Sequence, residues 1–361
     1  MTGEIRAEHA SIAELVPALP RRLLVAGGAG FIGSAFVRLC LEQADPPAVT
    51  VLDKLTYAGN LANLAEVAEH PRYRFVRGDI CDRALADRLA GEVDCIVNFA
   101  AESHVDRSIL DPDAFIQTDV YGTYSLLEAA RKHQHQRFLQ VSTDEVYGDV
   151  EEPQLSVEGD PLRPRSPYSA SKAGAEMQCL AYHATYGLPV VVTRGSNTYG
   201  PYQYPEKIVP LFTTQALDRL PLPVYGDGGA VRDYLYVDDH ARGIATVLAR
   251  GEAGQAYNLG QGGQLIDGMK VAETVLRLTD RPASLIQYVS DRPGHDRRYA
   301  LDSRRAAELG WGPELDFEAG MELTVAWYRR RRDWWEPIKS GEFAEFYRRN
   351  YHPVAGAAAP G

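Results

Sequence analysis

The chain has 361 residues, 45% of them hydrophobic, and a formal net charge of −11. That is enough apolar material for one large domain or two, and the negative balance argues against non-specific binding to nucleic acid or an anionic membrane surface. It does not exclude an anionic small ligand, because a few clustered arginines make a local positive pocket.

No apolar run approaches the length of a membrane span, and the first residues, Met-Thr-Gly-Glu-Ile-Arg-Ala-Glu-His, hold no apolar signal core. Cys40, Cys81, Cys95 and Cys179 are scattered without a Cys-x-x-Cys pair. They read as reduced thiols of a cytoplasmic protein. The nine histidines lack metal-ligand spacing, so no metal is expected.

Residues 1–20 read as an extension ending at Pro17 and Pro20. A strand is predicted at Leu23–Ala26 and a helix from Phe31 to Glu42. A strand at Val49–Leu52 precedes a helix from Leu61 to Glu69. A strand at Tyr73–Val76 precedes a helix from Arg83 to Leu89. A strand at Cys95–Phe99 leads to a long helix from Pro112 to His133. A strand at Phe138–Val141 leads to a helix from Pro167 to Tyr186, and Val190–Thr193 is another strand. Near-continuous apolar strands alternating with helices predict an α/β fold, a doubly wound parallel sheet covered on both faces. The rhythm changes near Tyr199, where prolines and glycines become dense. A dinucleotide-binding Rossmann domain is therefore expected over 21–200, with return segments near 229–260. A smaller α/β substrate-binding lobe follows over 201–352, and 353–361 is expected to be a disordered tail.

Gly27-Gly28-Ala29-Gly30-Phe31-Ile32-Gly33 lies between the first predicted strand and helix. Three glycines at this spacing permit a tight turn, close approach of backbone amides to a pyrophosphate, and close helix–sheet packing. Three glycines in a turn are ordinary, but the strand–helix junction gives these a dinucleotide context. Asp53 ends the second strand about 20 residues later, where an acid would hold ribose hydroxyls. It would repel a 2′-phosphate, which favours NAD over NADP, although Lys54 is adjacent. Asp79 and Ile80 after the third strand, and Ala100 and Ala101 after the fourth, are weaker candidates for the same ligand.

Two further segments carry chemistry. Tyr168 and Lys172 are four apart at the start of a predicted helix and share one face. An ammonium beside the phenol would favour the phenolate, which can take a proton from an alcohol. Asp144 and Glu145 leave a strand side by side, where like charges repel and desolvation is costly. A surface pair and a water-exposed loop are the plain alternatives.

Together with Ala100–Arg107, Ser142–Gly148, Tyr199–Lys207, Val231–Tyr234 and Asp291–Arg298, these segments resemble the extended short-chain dehydrogenase/reductases. More narrowly, over residues 22–352 the chain resembles the dTDP-glucose 4,6-dehydratases, whose most telling segment is the Thr-Asp-Glu run. The resemblance implies a lyase with bound NAD, a homodimer built on the helices near 112–133 and 167–186, and a role in deoxysugar biosynthesis. It implies that Tyr168 deprotonates the carbon-4 hydroxyl while NAD takes the hydride. Glu145 then removes the carbon-5 proton, Asp144 protonates the departing carbon-6 hydroxyl, and the hydride returns to carbon 6. Thr143 would polarise the carbon-4 oxygen and Lys172 would hold Tyr168 and the nicotinamide ribose.

For the nucleotide end the resemblance points to Ser103, His104, Asn197, Lys207, Pro223, Tyr225, Arg232, Arg292 and His295. Three positions depart from the family pattern. Gly195 stands where cysteine is common, Thr198 where asparagine is usual, and Gly263 where a substrate-contacting asparagine is usual. The last leaves the choice of nucleotide base open. The alternatives are a 4,6-dehydratase for another nucleotide sugar, a sugar-nucleotide 4-epimerase, a dehydrogenase with net hydride transfer, and a non-catalytic NAD-binding protein.

Overall fold

The early strands are apolar on both faces, so both faces must be covered. In the computed structural model, which describes residues 17–263, 265–291, 296–340 and 347, they are. Leu23 and Val25 pack with Phe36, Val37, Ile244 and Leu248 on one face. Leu24 and Ala26 pack with Leu89, Leu126 and Cys179 on the other. This is the period-2 alternation of a strand with a core on each side.

The strands among the described residues are β1 (Arg22–Ala26), β2 (Ala48–Asp53), β3 (Tyr73–Arg77), β4 (Cys95–Asn98), β5 (Arg137–Thr143), β6 (Val190–Gly195), β7 (Asn197–Tyr199), β8 (Leu222–Tyr225), β9 (Val231–Tyr236), β10 (Ala256–Leu259), β11 (Leu265–Asp267) and β12 (Ile286–Val289). Seven of them form one sheet in the order β10-β6-β5-β4-β1-β2-β3, and every neighbouring pair is parallel. From β1 the chain builds outward through β2 and β3, then crosses back to β4 on the other side. That reversal opens a crevice beyond the carboxyl ends of β1 and β4.

The smaller part pairs β11-β9-β7 and β12-β8 around Tyr199, Phe212, Val271, Phe317 and Met321. Of the 229–260 stretch, helix Val237–Arg250 packs on the large sheet and β10 joins it, whereas β9 belongs to the three-stranded sheet.

Two helices differ from expectation in detail. Leu61–Val67 is a 3-10 helix, started by the Asn60 side chain accepting from the Ala62 amide. The long helix runs as α-helix Pro112–Phe115, a π-helical turn Ile116–Gly122, and α-helix Thr123–Lys132. Helix Pro167–Tyr186 starts with a reciprocal cap between Ser166 and Ser169 and has proline in its first turn. These devices fix the helix start, and so the position of Tyr168. Among the described residues no helix is long and apolar enough to cross a membrane. Cys40, Cys95 and Cys179 are buried free thiols, while Cys81 is partly exposed. The expected extension lies outside the described residues up to residue 16, as does the expected tail over 353–361.

Candidate active site

A cavity of about 430 Å³ opens at the reversal point and continues between the two parts of the chain. Its floor is the glycine turn. A methyl group on Gly33 would sit 2.4 Å from the Gly27 carbonyl oxygen, and one on Gly27, at φ +75°, would sit 2.5 Å from the Ala100 amide nitrogen. Only glycine lets β1, β4 and the first helix close this tightly. Gly30, Phe31, Ile32, Ala100 and Ala101 line the same wall.

Asp53 ends β2 beside this turn. One carboxylate oxygen accepts from the Ala29 amide at 2.9 Å and the other from the Leu55 amide at 2.8 Å. Burial nevertheless raises its pKa above the ordinary value. Lys54 pairs with Asp79 at 2.6 Å. Its charge is thus matched within the cavity wall, which leaves Asp53 to set the local sign. Ile80 completes this end.

The acid pair sits where β5 stops. Thr143 caps the short turn Asp144–Tyr147 by accepting from the Glu145 amide, and its hydroxyl donates to Asp144 Oδ1 at 3.1 Å. Asp144 is 3% exposed, and its Oδ2 has no partner among the described residues. Burial, then repulsion from Glu145, raises its pKa well above the carboxylate range, against the pull of Arg232. Burial, with the adjacent Glu145 adding to it, therefore favours the protonated form of Asp144.

Tyr168 faces this pair. Its ring lies edge-on to Phe115 at 6.2 Å, and it lines the same cavity as Thr143. Burial, then the negative Glu145 and Asp119, raises its pKa well above the ordinary tyrosine value. Lys172 is buried, and its ammonium donates to the Val141 carbonyl oxygen at 2.7 Å. The surroundings of Tyr168 disfavour the phenolate, opposite in direction to what the Tyr168–Lys172 spacing suggests.

The other end of the cavity carries the basic groups. Arg232 is buried, lies over the Tyr299 ring at 4.3 Å, and donates to the Val231, Asp296 and Arg297 carbonyl oxygens. Lys207 donates to the Ser103 carbonyl oxygen at 2.8 Å, and the Tyr225 hydroxyl meets Asp106 at 3.4 Å. His104, Asn197 and Pro223 share this wall, and the Asn197 side-chain oxygen is buried without a partner among the described residues. Arg292 and His295 lie outside the described residues. The other candidate site residues, Gly263 apart, meet in this one cavity. So do Glu206 and His240, which the sequence did not single out. Their segments carry the clue: Glu206 precedes Lys207 within Tyr199–Lys207.

The family profile described as GDP-mannose 4,6 dehydratase matches residues 24–324. A dTDP-glucose 4,6-dehydratase of Streptomyces griseus is 53% identical over 319 residues, 88% of this chain and 96% of that protein. One from Actinoplanes sp. is 52% identical over 320 residues, 87% of this chain and 99% of that protein. The chain belongs to the dTDP-glucose 4,6-dehydratase family. The crystal structure of DesIV, the dTDP-glucose 4,6-dehydratase of Streptomyces venezuelae with NAD and TYD bound, matches with a TM-score of 0.86 and 52% identity. The match spans 88% of this chain and 100% of that one.

Two departures from the usual 4,6-dehydratase pattern meet on one side chain. His240 Nδ1 lies 2.7 Å from the Thr198 hydroxyl, and a methyl group at Gly195 would sit 2.3 Å from His240 Cε1. The imidazole thus occupies the space a larger residue at 195 would need. Gly263 differs from its sequence expectation. It is exposed, at φ +111°, with nothing within 4 Å of where a side chain would begin, and it does not line the cavity. The missing asparagine therefore leaves the described cavity wall unchanged.

Proposed function

We propose that the chain dehydrates dTDP-glucose to the 4-keto-6-deoxy sugar nucleotide, with NAD as resident cofactor. The observation that carries this reading is the turn at the end of β5. It sets a buried carboxyl, Asp144, beside a second acid, Glu145, in the same cavity wall as Tyr168, and burial favours the protonated form of Asp144. Elimination needs an acid and a base on neighbouring atoms at once. Two carboxyl groups whose environments drive them apart supply both.

The fit of the cofactor rests on the glycine floor and Asp53. With no side chain at Gly27 or Gly33 a diphosphate can lie against backbone amides, and Asp53 stands where ribose hydroxyls would lie. NAD, when bound, supplies the acceptor and later donor of the carbon-4 hydride. Tyr168 takes the proton from the carbon-4 hydroxyl, and Thr143 hydrogen-bonds the oxygen left there. The new ketone acidifies carbon 5, and Glu145 takes that proton. Asp144 gives its proton to the carbon-6 hydroxyl, which leaves as water. Lys172 holds the nicotinamide ribose. Arg232, Lys207 and Asn197 hold the diphosphate and base, with Pro223 and Tyr225 at their border. A 4-epimerase has no step for an acid–base pair placed to eliminate water.

The test is mass spectrometry of dTDP-glucose after incubation with the purified protein in deuterated water, with no added reductant. The expected product has lost one water and retained one deuterium on the sugar. An unchanged mass would overturn the dehydratase reading.

The same reading includes a homodimer. Leu110 is 70% exposed, Ile116 54% and Tyr186 56%. All lie on the helical stretch 105–132 or on helix Pro167–Tyr186, which pack together. Light scattering is expected to give twice the chain mass. The double variant Leu110→Glu, Ile116→Glu is expected to shift it to the monomer.

A further inference from the structure

The last side chain of the acid turn has no part in the scheme above. Tyr147 closes the 3-10 turn Asp144–Tyr147 and is buried in a cluster with Val146, Ala173 and Leu301. In a 3-10 helix the side chains of residues i and i+3 eclipse one another. Tyr147 therefore leaves the turn in the same direction as Asp144, and Glu145 lies about 120° round from both. Whatever fixes Tyr147 fixes how the turn is rolled about its own axis, and so where the two carboxyl groups point.

A single turn has few bonds of its own to resist such a roll. Its start is capped by Thr143, and the Val146 carbonyl oxygen accepts from the Arg163 amide at 2.9 Å. The remaining anchor is the Tyr147 hydroxyl. It donates to Asn258 Oδ1 at 2.8 Å and accepts from Arg194 Nη1 at 2.6 Å.

Both partners are buried and are held in turn. Asn258, in β10, donates to the Ser156 and Asp302 carbonyl oxygens at 2.9 and 3.2 Å. Arg194, in β6, donates from Nε to both carboxylate oxygens of the buried Glu176 at 3.0 and 3.1 Å, and from Nη1 to the Glu158 carbonyl oxygen at 3.0 Å. Its guanidinium also lies 4.8 Å from the centre of the Tyr147 ring. Arg194 directly precedes Gly195, the register partner of Thr143 across β5 and β6. One hydroxyl thus joins the acid turn to two strands of the large sheet. The bond from the guanidinium is charge-assisted, and every polar atom it links is occupied by protein, which makes the joint stiff.

We propose that Tyr147 is a positioning residue for the elimination step: its hydroxyl, held by Arg194 and Asn258, sets the roll of the acid turn and with it the placement of the Asp144 and Glu145 carboxyl groups. This rests on the reading of those two groups as the acid and base of elimination. Oxidation at carbon 4 does not depend on the joint. Tyr168 is placed by the Ser166–Ser169 cap of its own helix, and Lys172 by its bond to the Val141 carbonyl oxygen.

The test is a quenched single turnover of dTDP-glucose by the full chain with NAD bound, comparing the wild type with Tyr147→Phe. The substitution removes one oxygen and keeps the ring in its apolar cluster. The 4-keto sugar nucleotide, lighter by two hydrogens, is expected to form at close to the wild-type rate. Loss of water is expected to slow roughly ten- to a hundred-fold, the effect of a small misplacement of reacting groups. The ratio of oxidised to dehydrated sugar nucleotide should therefore rise. A side chain that served the fold alone would slow both steps together and leave that ratio unchanged. Asn258→Ala, which removes the acceptor of the same hydroxyl from β10, is expected to move the ratio in the same direction, and it decides the matter if the phenylalanine variant does not fold. A wild-type ratio in the folded variant would overturn the role of Tyr147 and leave the dehydratase reading standing. A wild type that yields no dehydrated product would overturn both.

Discussion

Tyr168→Phe is expected to lower turnover by roughly a hundred- to ten-thousand-fold, the usual worth of a positioned general base. The change removes one oxygen and keeps the ring that packs against Phe115, so the fold and the melting temperature should hold. The step lost is the first, the removal of the carbon-4 proton. Sugar nucleotide quenched from a single turnover should therefore contain neither the 4-keto intermediate nor the dehydrated product. The phenol starts from an unfavourable place. Burial, Glu145 and Asp119 all raise its pKa, so a positive charge brought by the bound ligand has more to do than the spacing of Tyr168 and Lys172 suggests. Activity should accordingly fall on the acid side of the profile as Tyr168 stays protonated in the complex. Should the phenylalanine variant turn over at the wild-type rate, Tyr168 is not the base.

Asp144→Asn is expected to separate oxidation from elimination. The amide cannot give a proton to the departing carbon-6 hydroxyl, so loss of water should fall by about a hundred- to ten-thousand-fold. Tyr168 and Thr143 remain in place, so the carbon-4 oxidation should still occur. A quenched single turnover is then expected to show a sugar nucleotide lighter by two hydrogens in place of one lighter by a water. The pH dependence follows from the environment of the wild-type group. Burial and Glu145 raise Asp144 well above an ordinary carboxylate. Its active, protonated form therefore persists to higher pH than that of an ordinary carboxylic acid and is lost as the pH rises further. An ordinary carboxylate acid would already be ionised near pH 4. If the asparagine variant eliminates water at the wild-type rate, the acid is another group.

The sequence was a good guide wherever the chemistry lies in consecutive residues. The glycine turn, the Tyr168–Lys172 pair on one helical face, and the adjacency of Asp144 and Glu145 are all local. Gly263 shows where that guidance ends. Its position in a motif suggests a substrate contact, but it is exposed and is not among the residues that line the described cavity. Asp119 was not singled out in the sequence; it is buried in the π-helical turn, where Ser171 donates to it.

By itself the sequence determined the order of strands and helices as far as Thr193, the doubly wound sheet and the set of side chains available for chemistry. Periodicity, turn-forming glycines and helix caps act over a few residues, and these signals are written in neighbouring positions. Only the tertiary structure decided the states of those side chains. Burial raises the pKa of Asp144, Glu145 and Asp233 add to that rise, and Arg232 opposes it. Lys54 spends its charge on Asp79, Lys172 answers to Asp119, and His240 fills the space beside Gly195. The energy of a charge depends on what surrounds it in space, and most of those surroundings are far away along the chain.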